Sequence, residues 1–229
     1  MRLRVVEHLA DGKMFRHPGW MAPRRGRPRR RGTYHHGDLR EALLDAAERS
    51  LDRQGVPGLA LRAIARDAGV THSAAYHHFA DRASLLCAVA GRGFDRLRDA
   101  LDAATAGAEA PLAFLEMGVA YVRFAARHPG LFRLMFGAEV ARGRAGDDVL
   151  RVASEAAFAV LVGGARRIDP GATEASVRRR AVAAWSLVHG LSGLLLDDQL
   201  AIAGLTLADH ERVAREVLGS GHGLEPRSP

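Results

Sequence analysis

The sequence predicts an all-α protein: an N-terminal three-helix helix-turn-helix domain followed by a C-terminal helical bundle. Two observations carry this. Apolar residues recur at three- and four-residue spacing along most of the chain, with no convincing strand pattern. Two short helical stretches, "LRAIARDAG" and "VTHSAAYHHF", meet at a Gly-containing turn. With 229 residues, 48% of them hydrophobic, the chain can bury a sizeable core. Its one cysteine, Cys87, excludes a disulfide framework within a monomer and fits a reducing compartment. Neither a bilayer-spanning apolar run nor a signal-peptide core is present, so a cytoplasmic protein without a membrane partner is expected.

The net charge of +7 is concentrated at the start. Residues 1–31 hold ten basic side chains against Glu7 and Asp11. In "RRGRPRRR", Gly26 and Pro28 oppose helix formation while Arg27, Arg29, Arg30 and Arg31 repel one another, so residues 1–32 read as an extended basic arm. Arginine there suits phosphates and a narrow minor groove. A solubilising tail is the plainer alternative. "MAPRRGRPRRRG" also reads as a natural start, which places Met21 beside Met1 as a candidate first residue.

Elements follow in order from Gly37. Leu39, Leu43, Leu44, Ala47 and Leu51 form the apolar stripe of a first helix, which Asp38 and Glu41 are placed to cap and which ends near Gly55. His35 and His36 lie in the lead-in, where adjacency makes them poor joint metal ligands. A second helix runs from Leu61 to about Ala68 and is terminated by Gly69; Thr71 caps a third, His72 to Phe79. The fourth serves as a connector through residue 102. Helices near 112–136 are interrupted at His128-Pro129-Gly130, and further helices span about 147–167, 174–196 and 207–218. The implied divisions are 1–32, 33–80, 81–102, 103–220 and a short tail, 221–229, expected to be unstructured.

In a helix-turn-helix the N-terminal outward residues of the second short helix meet base edges. Ser73 can donate or accept a hydrogen bond and Ala74 can touch a thymine methyl, while Tyr76 and His77 reach phosphates. His77 and His78 project about 100° apart on a helix, too divergent to chelate one ion, and His72 is five and six positions away. No metal or other cofactor is implied.

Taken together, "TYHHGDLREALLDAAERSLDRQGVPGLALRAIARDAGVTHSAAYHHFADRASLL" resembles the DNA-binding domain of the TetR family of bacterial transcriptional regulators. The resemblance implies DNA contacts at Arg62, Thr71, Ser73, Ala74, Tyr76, His77 and Arg82, the last on a phosphate. Ala60 departs from the family pattern of serine or threonine and supplies no capping oxygen. "AYVRFAARHPGLFRLMF" and "AAWSLVHGLSGLLL" resemble the regulatory domain of a subgroup marked by Trp-His-Gly, here Trp185, His189 and Gly190. An effector pocket is then expected from Phe114, Met117, Tyr121, Phe124, Phe132, Met135, Phe136, Phe158, Trp185 and His189. Gly190, Leu191, Gly193 and Leu194 are placed for a homodimer interface, or else admit an intrachain neighbour.

The resemblance implies a homodimeric repressor that leaves a palindromic double-stranded DNA operator when a small-molecule effector binds. Two other classes compete. One is a small hydrolase using His189 with Asp197 or Asp198 and a nucleophile at Ser186 or Ser192, neither of which has a Gly-x-Ser-x-Gly elbow. The other is a non-specific nucleic-acid binder using the arginine arm alone. If the arm meets phosphates, deleting residues 1–31 weakens duplex binding and flattens its salt dependence by about 0.9 in log-log slope per lost contact. Equal slopes for both proteins in a salt titration would assign the run to solvation only.

Overall fold

The computed structural model describes residues 36–220. The arginine arm, His35 and the 221–229 tail lie outside the described residues, as do the side chains of His36 and Asp38.

Helix α1, His36–Gln54, buries Leu43, Leu44, Ala47 and Leu51, the stripe expected from the sequence. Because the helix already starts at His36, Asp38 lies inside the first turn and is not its cap. A 3-10 turn at Val56–Gly58 leads into α2, Leu61–Asp67. Ala60 occupies the N-cap of α2 without a side-chain hydrogen bond. At the far end Gly69 adopts φ 70°, a conformation glycine takes without a Cβ penalty. The Val70 amide then donates to the Ala65 carbonyl and the Gly69 amide to that of Arg66, both at 3.0 Å, which closes the end of α2 as a Schellman motif. Thr71 caps α3, His72–His78, by accepting from the Ala74 amide at 3.3 Å. Ile64, Ala75 and Phe79 complete the core of this three-helix unit.

Helix α4, Arg82–Ala104, begins with a capping box in which Asp81 and Ser84 satisfy each other's backbone amides. One stretch of α4 faces α1, where Arg92 pairs with Asp45 at 2.9 Å and Arg96 with Glu48 at 2.7 Å. Its later residues Phe94, Leu97 and Leu101 are buried in the bundle. One helix therefore belongs to both parts of the molecule.

The bundle continues with α5, Ala110–Arg127; α6, Pro129–Met135; α7, Ala138–Gly143; α8, Asp148–Ile168; α9, Glu174–Leu196; and α10, His210–Ser220. The interruption at His128 frees α6 to turn toward α1. A Cβ on Gly130 would come within 3.2 Å of the Leu51 carbonyl oxygen, so a side chain there would press on the end of α1. Arg123 pairs with Glu211 at 2.6 Å, and Arg215 pairs with Glu116, which sets α10 antiparallel to α5. Arg133 of α6 donates to the Leu196 carbonyl at the C-terminal end of α9 and to Asp197, where positive charge complements the helix dipole.

Several details depart from the sequence reading. Helix α7 was not anticipated. The last helix starts at His210 because Thr206 and Asp209 close a capping box over a 3-10 turn at Leu207–Asp209. The described residues contain no strand, and no helix among them is long and apolar enough to cross a membrane.

Candidate functional site

On α3, burial of Ala75 and Phe79 turns the opposite face outward. Ser73 and His77 are exposed there, Tyr76 is 45% exposed, Ala74 is half-buried, and Arg62 of α2 is exposed. His72, one turn before Tyr76, meets its ring edgewise at 4.5 Å, so the tyrosine is supported from one side. Thr71 Oγ1 lies 3.2 Å from Ser73 Oγ, and the same cap that starts the helix thus orients its first outward hydroxyl. A shallow cleft between α1 and α3 is lined by Leu39, Ser73, Ala74, His77 and His78. Among the described residues no His, Cys, Asp or Glu cluster has the geometry to hold a metal ion.

Arg82, expected on a phosphate, makes hydrogen bonds within the chain. Its Nε donates to the Leu59 carbonyl and a terminal nitrogen to that of Val56, both at 3.1 Å, while the other terminal nitrogen pairs with Glu139 of α7. The guanidinium thus caps the carbonyls of the 3-10 turn before α2.

The bundle encloses a cavity of about 380 Å³, within the range of small-molecule sites. Its walls come from α4, α5, α8, α9 and α10. Six of the ten expected residues line it: Phe114, Met117, Tyr121, Phe136, Phe158 and Trp185. The other four do not. Phe124 is buried one turn further along α5 beside His128, and Met135 is buried against Gly93. Phe132 and His189 pack on each other and on Tyr121, outside the wall. Sequence reasoning missed Phe94, Leu97, Leu101, Gly118, Leu161 and Arg144. The three on α4 continue that helix's apolar spacing and were legible as core; nothing in "ARGRAGDD" marks Arg144 as facing a cavity.

A hydrogen-bonded chain links wall and core. Trp185 Nε1 donates to the Tyr121 hydroxyl at 3.2 Å, and that hydroxyl lies 2.9 Å from His189 Nδ1. Burial pushes the His189 imidazole below the ordinary histidine range and the Tyr121 phenol well above its own. Both shifts favour the neutral forms of the two groups, joined by a hydrogen bond whose direction follows the imidazole tautomer. The hydrolase arrangement is not assembled: Ser186 and Ser192 donate to the Val182 and Val188 carbonyls of their own helix, and Asp197 holds Arg133.

Along α9, Leu187, Gly190 and Leu194 follow one another at i, i+3 and i+7, with Leu187 and Leu194 41% and 45% exposed; Val182, 48% exposed, lies on an adjoining face, and Leu187 also borders the cavity. A Cβ at Gly190 or Gly193 would meet nothing within 4 Å, so these glycines do not accommodate an intrachain neighbour. Leu191, one turn after Leu187 along the same stripe, is buried in the chain's own core, which takes it off the exposed surface.

A helix-turn-helix joined through a shared helix to a bundle with an internal cavity defines a DNA-binding regulator class. Residues 43–89 match the model for bacterial regulatory proteins of the tetR family, and residues 114–220 match that for a tetracyclin repressor-like C-terminal domain. The chain belongs to the TetR family. It is 39% identical over 72 residues to the HTH-type transcriptional regulator BetI of Rhizobium meliloti (strain 1021), covering 31% of this chain and 36% of that protein. It is 28% identical over 96 residues to the uncharacterized HTH-type transcriptional regulator YobS of Bacillus subtilis (strain 168), covering 42% of this chain and 50% of the other. These matches therefore span half or less of the curated relatives. A solved structure of a protein with unknown function from Rhodococcus sp. RHA1 is 34% identical, with TM-score 0.69, covering 83% of this chain and 98% of that one.

The depressed His189 pKa has a consequence for stability. An unfolded histidine takes up its proton near pH 6.5, whereas folded His189 resists until a lower pH. Its contribution is complete above the unfolded value and is lost as pH falls through the folded one. His128, whose pKa is also lowered, acts in the same direction. The melting temperature is therefore expected to fall as pH is lowered through the ordinary histidine range and below it. His189→Phe should make the drop smaller in scanning calorimetry; an unchanged pH dependence would remove His189 as a contributor.

Proposed function

We propose that this chain is a cytoplasmic, non-enzymatic, homodimeric repressor that binds a palindromic operator and leaves it when a small molecule enters the bundle cavity. The observation that carries this reading is the double membership of α4, which starts at the recognition unit and lines the cavity with Phe94, Leu97 and Leu101. A ligand against those residues touches the element on which the helix-turn-helix is mounted. The effector shifts the dimer toward a spacing of its two α3 helices that does not match successive major grooves, by no more than its differential affinity for that state.

On DNA, Ser73 and Ala74 read base edges, and Arg62, Thr71, Tyr76 and His77 hold the backbone. The arginines of the arm, Arg27, Arg29, Arg30 and Arg31, add sequence-independent affinity. Tyr76→Ala is expected to weaken binding alike on operator and random duplex, whereas Ser73→Ala shifts the preferred sequence. Footprinting of both variants checks this, with folding confirmed by circular dichroism; affinity and selectivity unchanged in both would sink the assignment of α3.

The second copy sits on the exposed apolar face of α9, together with Val217 of α10, itself 36% exposed. Gly190 and Gly193 let the partner helix approach closely, while Leu187 and Leu194 supply buried area. Leu194→Asp buries an unpaired carboxylate there, at a cost of about several kcal/mol. Sedimentation should then show a folded monomer with operator binding lost, and a stable dimer would place the interface elsewhere.

A further inference from the structure

The cavity is apolar along its length but charged at one end. Helices α4 and α8 run parallel beside it: at one end a Cβ on Gly91 would lie 4.0 Å from the Leu150 Cα, and beyond the other Arg167 donates to the Ala108 carbonyl at 3.0 Å. Phe94 to Leu101 on α4 and Ser154 to Leu161 on α8 each line about 10 Å of wall, from the helical rise per residue. Tyr121 to Phe114 on α5 spans the same depth in the opposite direction. Arg144, in the 3-10 turn that follows α7, enters at the Phe94 end, its guanidinium carbon 5.4 Å from the Phe94 ring centroid.

Arg144 differs from the arginines around it. Arg123, Arg133, Arg151 and Arg215 each hold a carboxylate. Among the described residues no carboxylate lies within ion-pair distance of Arg144, and its buried Nε–H has no acceptor. A buried donor left without an acceptor is costly and rare in folded proteins. The other charged residue on the wall, Glu155, is already matched by Arg151 of the same helix at 3.2 Å and is largely exposed. Ser154 is likewise occupied, donating to the Arg151 carbonyl at 2.9 Å. The charge in the cavity that lacks a counterpart is thus positive, it sits at one end, and about 10 Å of apolar wall leads away from it.

We propose that the cavity takes an amphipathic carboxylate, a fatty acid in its simplest form. Its acid group lies on Arg144 and its apolar chain runs between α4 and α8 toward Leu101 and Phe114. The planar guanidinium offers a carboxylate paired donors, and the low polarity around Phe94 strengthens that contact. This assignment rests on the reading of the cavity as the effector site and adds the chemical class of the effector.

The test uses full-length Trp20→Phe protein, in which Trp185 on the cavity wall is the only remaining tryptophan. Decanoate, 1-decanol and decylamine, equal in chain length and different in head group, are titrated against its fluorescence and by calorimetry. Decanoate is expected to saturate on the order of tenfold more tightly than decanol, with decylamine weakest. Arg144→Gln should bring decanoate down to the level of decanol while leaving decanol unchanged. Arg144→Lys, which keeps the charge and loses the fork, should retain part of the preference. Leu161→Phe, which narrows the cavity without adding a tryptophan, should weaken all three, and circular dichroism confirms that each variant is folded. Equal binding of decanoate and decanol, or decanoate binding untouched by Arg144→Gln, overturns the carboxylate assignment and leaves the cavity reading standing. Preference for decylamine, abolished by Glu155→Gln, overturns it in favour of a cation. Binding of none of the three overturns the cavity as a site for such ligands and the carboxylate with it.

Discussion

The guanidinium of Arg82 holds the two functional regions in one frame. It is the first residue of α4, yet it reaches back to the carbonyls of Val56 and Leu59 and sideways to Glu139 on α7. The turn entering α2, the start of α4 and the short helix beside the cavity turn are thus tied at one point. Hydrogen bonds from a charged donor to partly buried carbonyls are stronger than an exposed ion pair, whose contribution is small. The surface pairs of Arg92 and Arg96 with α1 add alignment along α4, and Gly130 lets α6 rest directly on the end of α1. In the proposed mechanism a movement of α4 would carry the recognition unit with it through these contacts.

The same tie bears on how a ligand would act. Phe94 forms part of the cavity wall and also lies under Arg144, while Gly93 next to it leaves room for Met135 of α6. A packed interior yields in discrete steps because its side chains interdigitate at high density. In the proposed mechanism a ligand pressing on Phe94 has two responses available, displacement of α4 or repacking of Met135. Only the first changes the position of α3. The hydrogen-bonded chain through Trp185, Tyr121 and His189 stiffens the opposite wall, which directs the response toward α4.

Much of the fold was legible because its signals are local. The stripe of α1, the glycine ending α2 and the threonine starting α3 each act within a few residues, and the structure shows each of them. Helix α7 was not legible, since six residues carry too little periodicity to stand out from the surrounding turn. The cavity was partly legible. Residue type identified Phe114, Met117, Tyr121 and Trp185, but whether an apolar side chain faces a void or another side chain depends on packing between helices distant in sequence. Phe124 and Met135 have the same chemistry as the wall residues and are plain core. Arg82 shows the complementary limit: its charge suggested a phosphate, and only the folded chain brings the Val56 and Leu59 carbonyls within its reach.

The apolar stripe on α9 has a consequence for how the fold behaves with abundance. Val182, Leu187 and Leu194 stand open on a single chain, and in the proposed dimer they close only when a second copy is at hand. Burial completed by association makes folding free energy a function of protomer concentration, through mass action. Dilution would then loosen the very helix that completes the cavity wall with Trp185 and Val188. At low copy number the chain would be less stable, less able to span two half-sites and less able to hold an effector, all at once. The amount of protein made thus enters the response as a variable alongside the ligand.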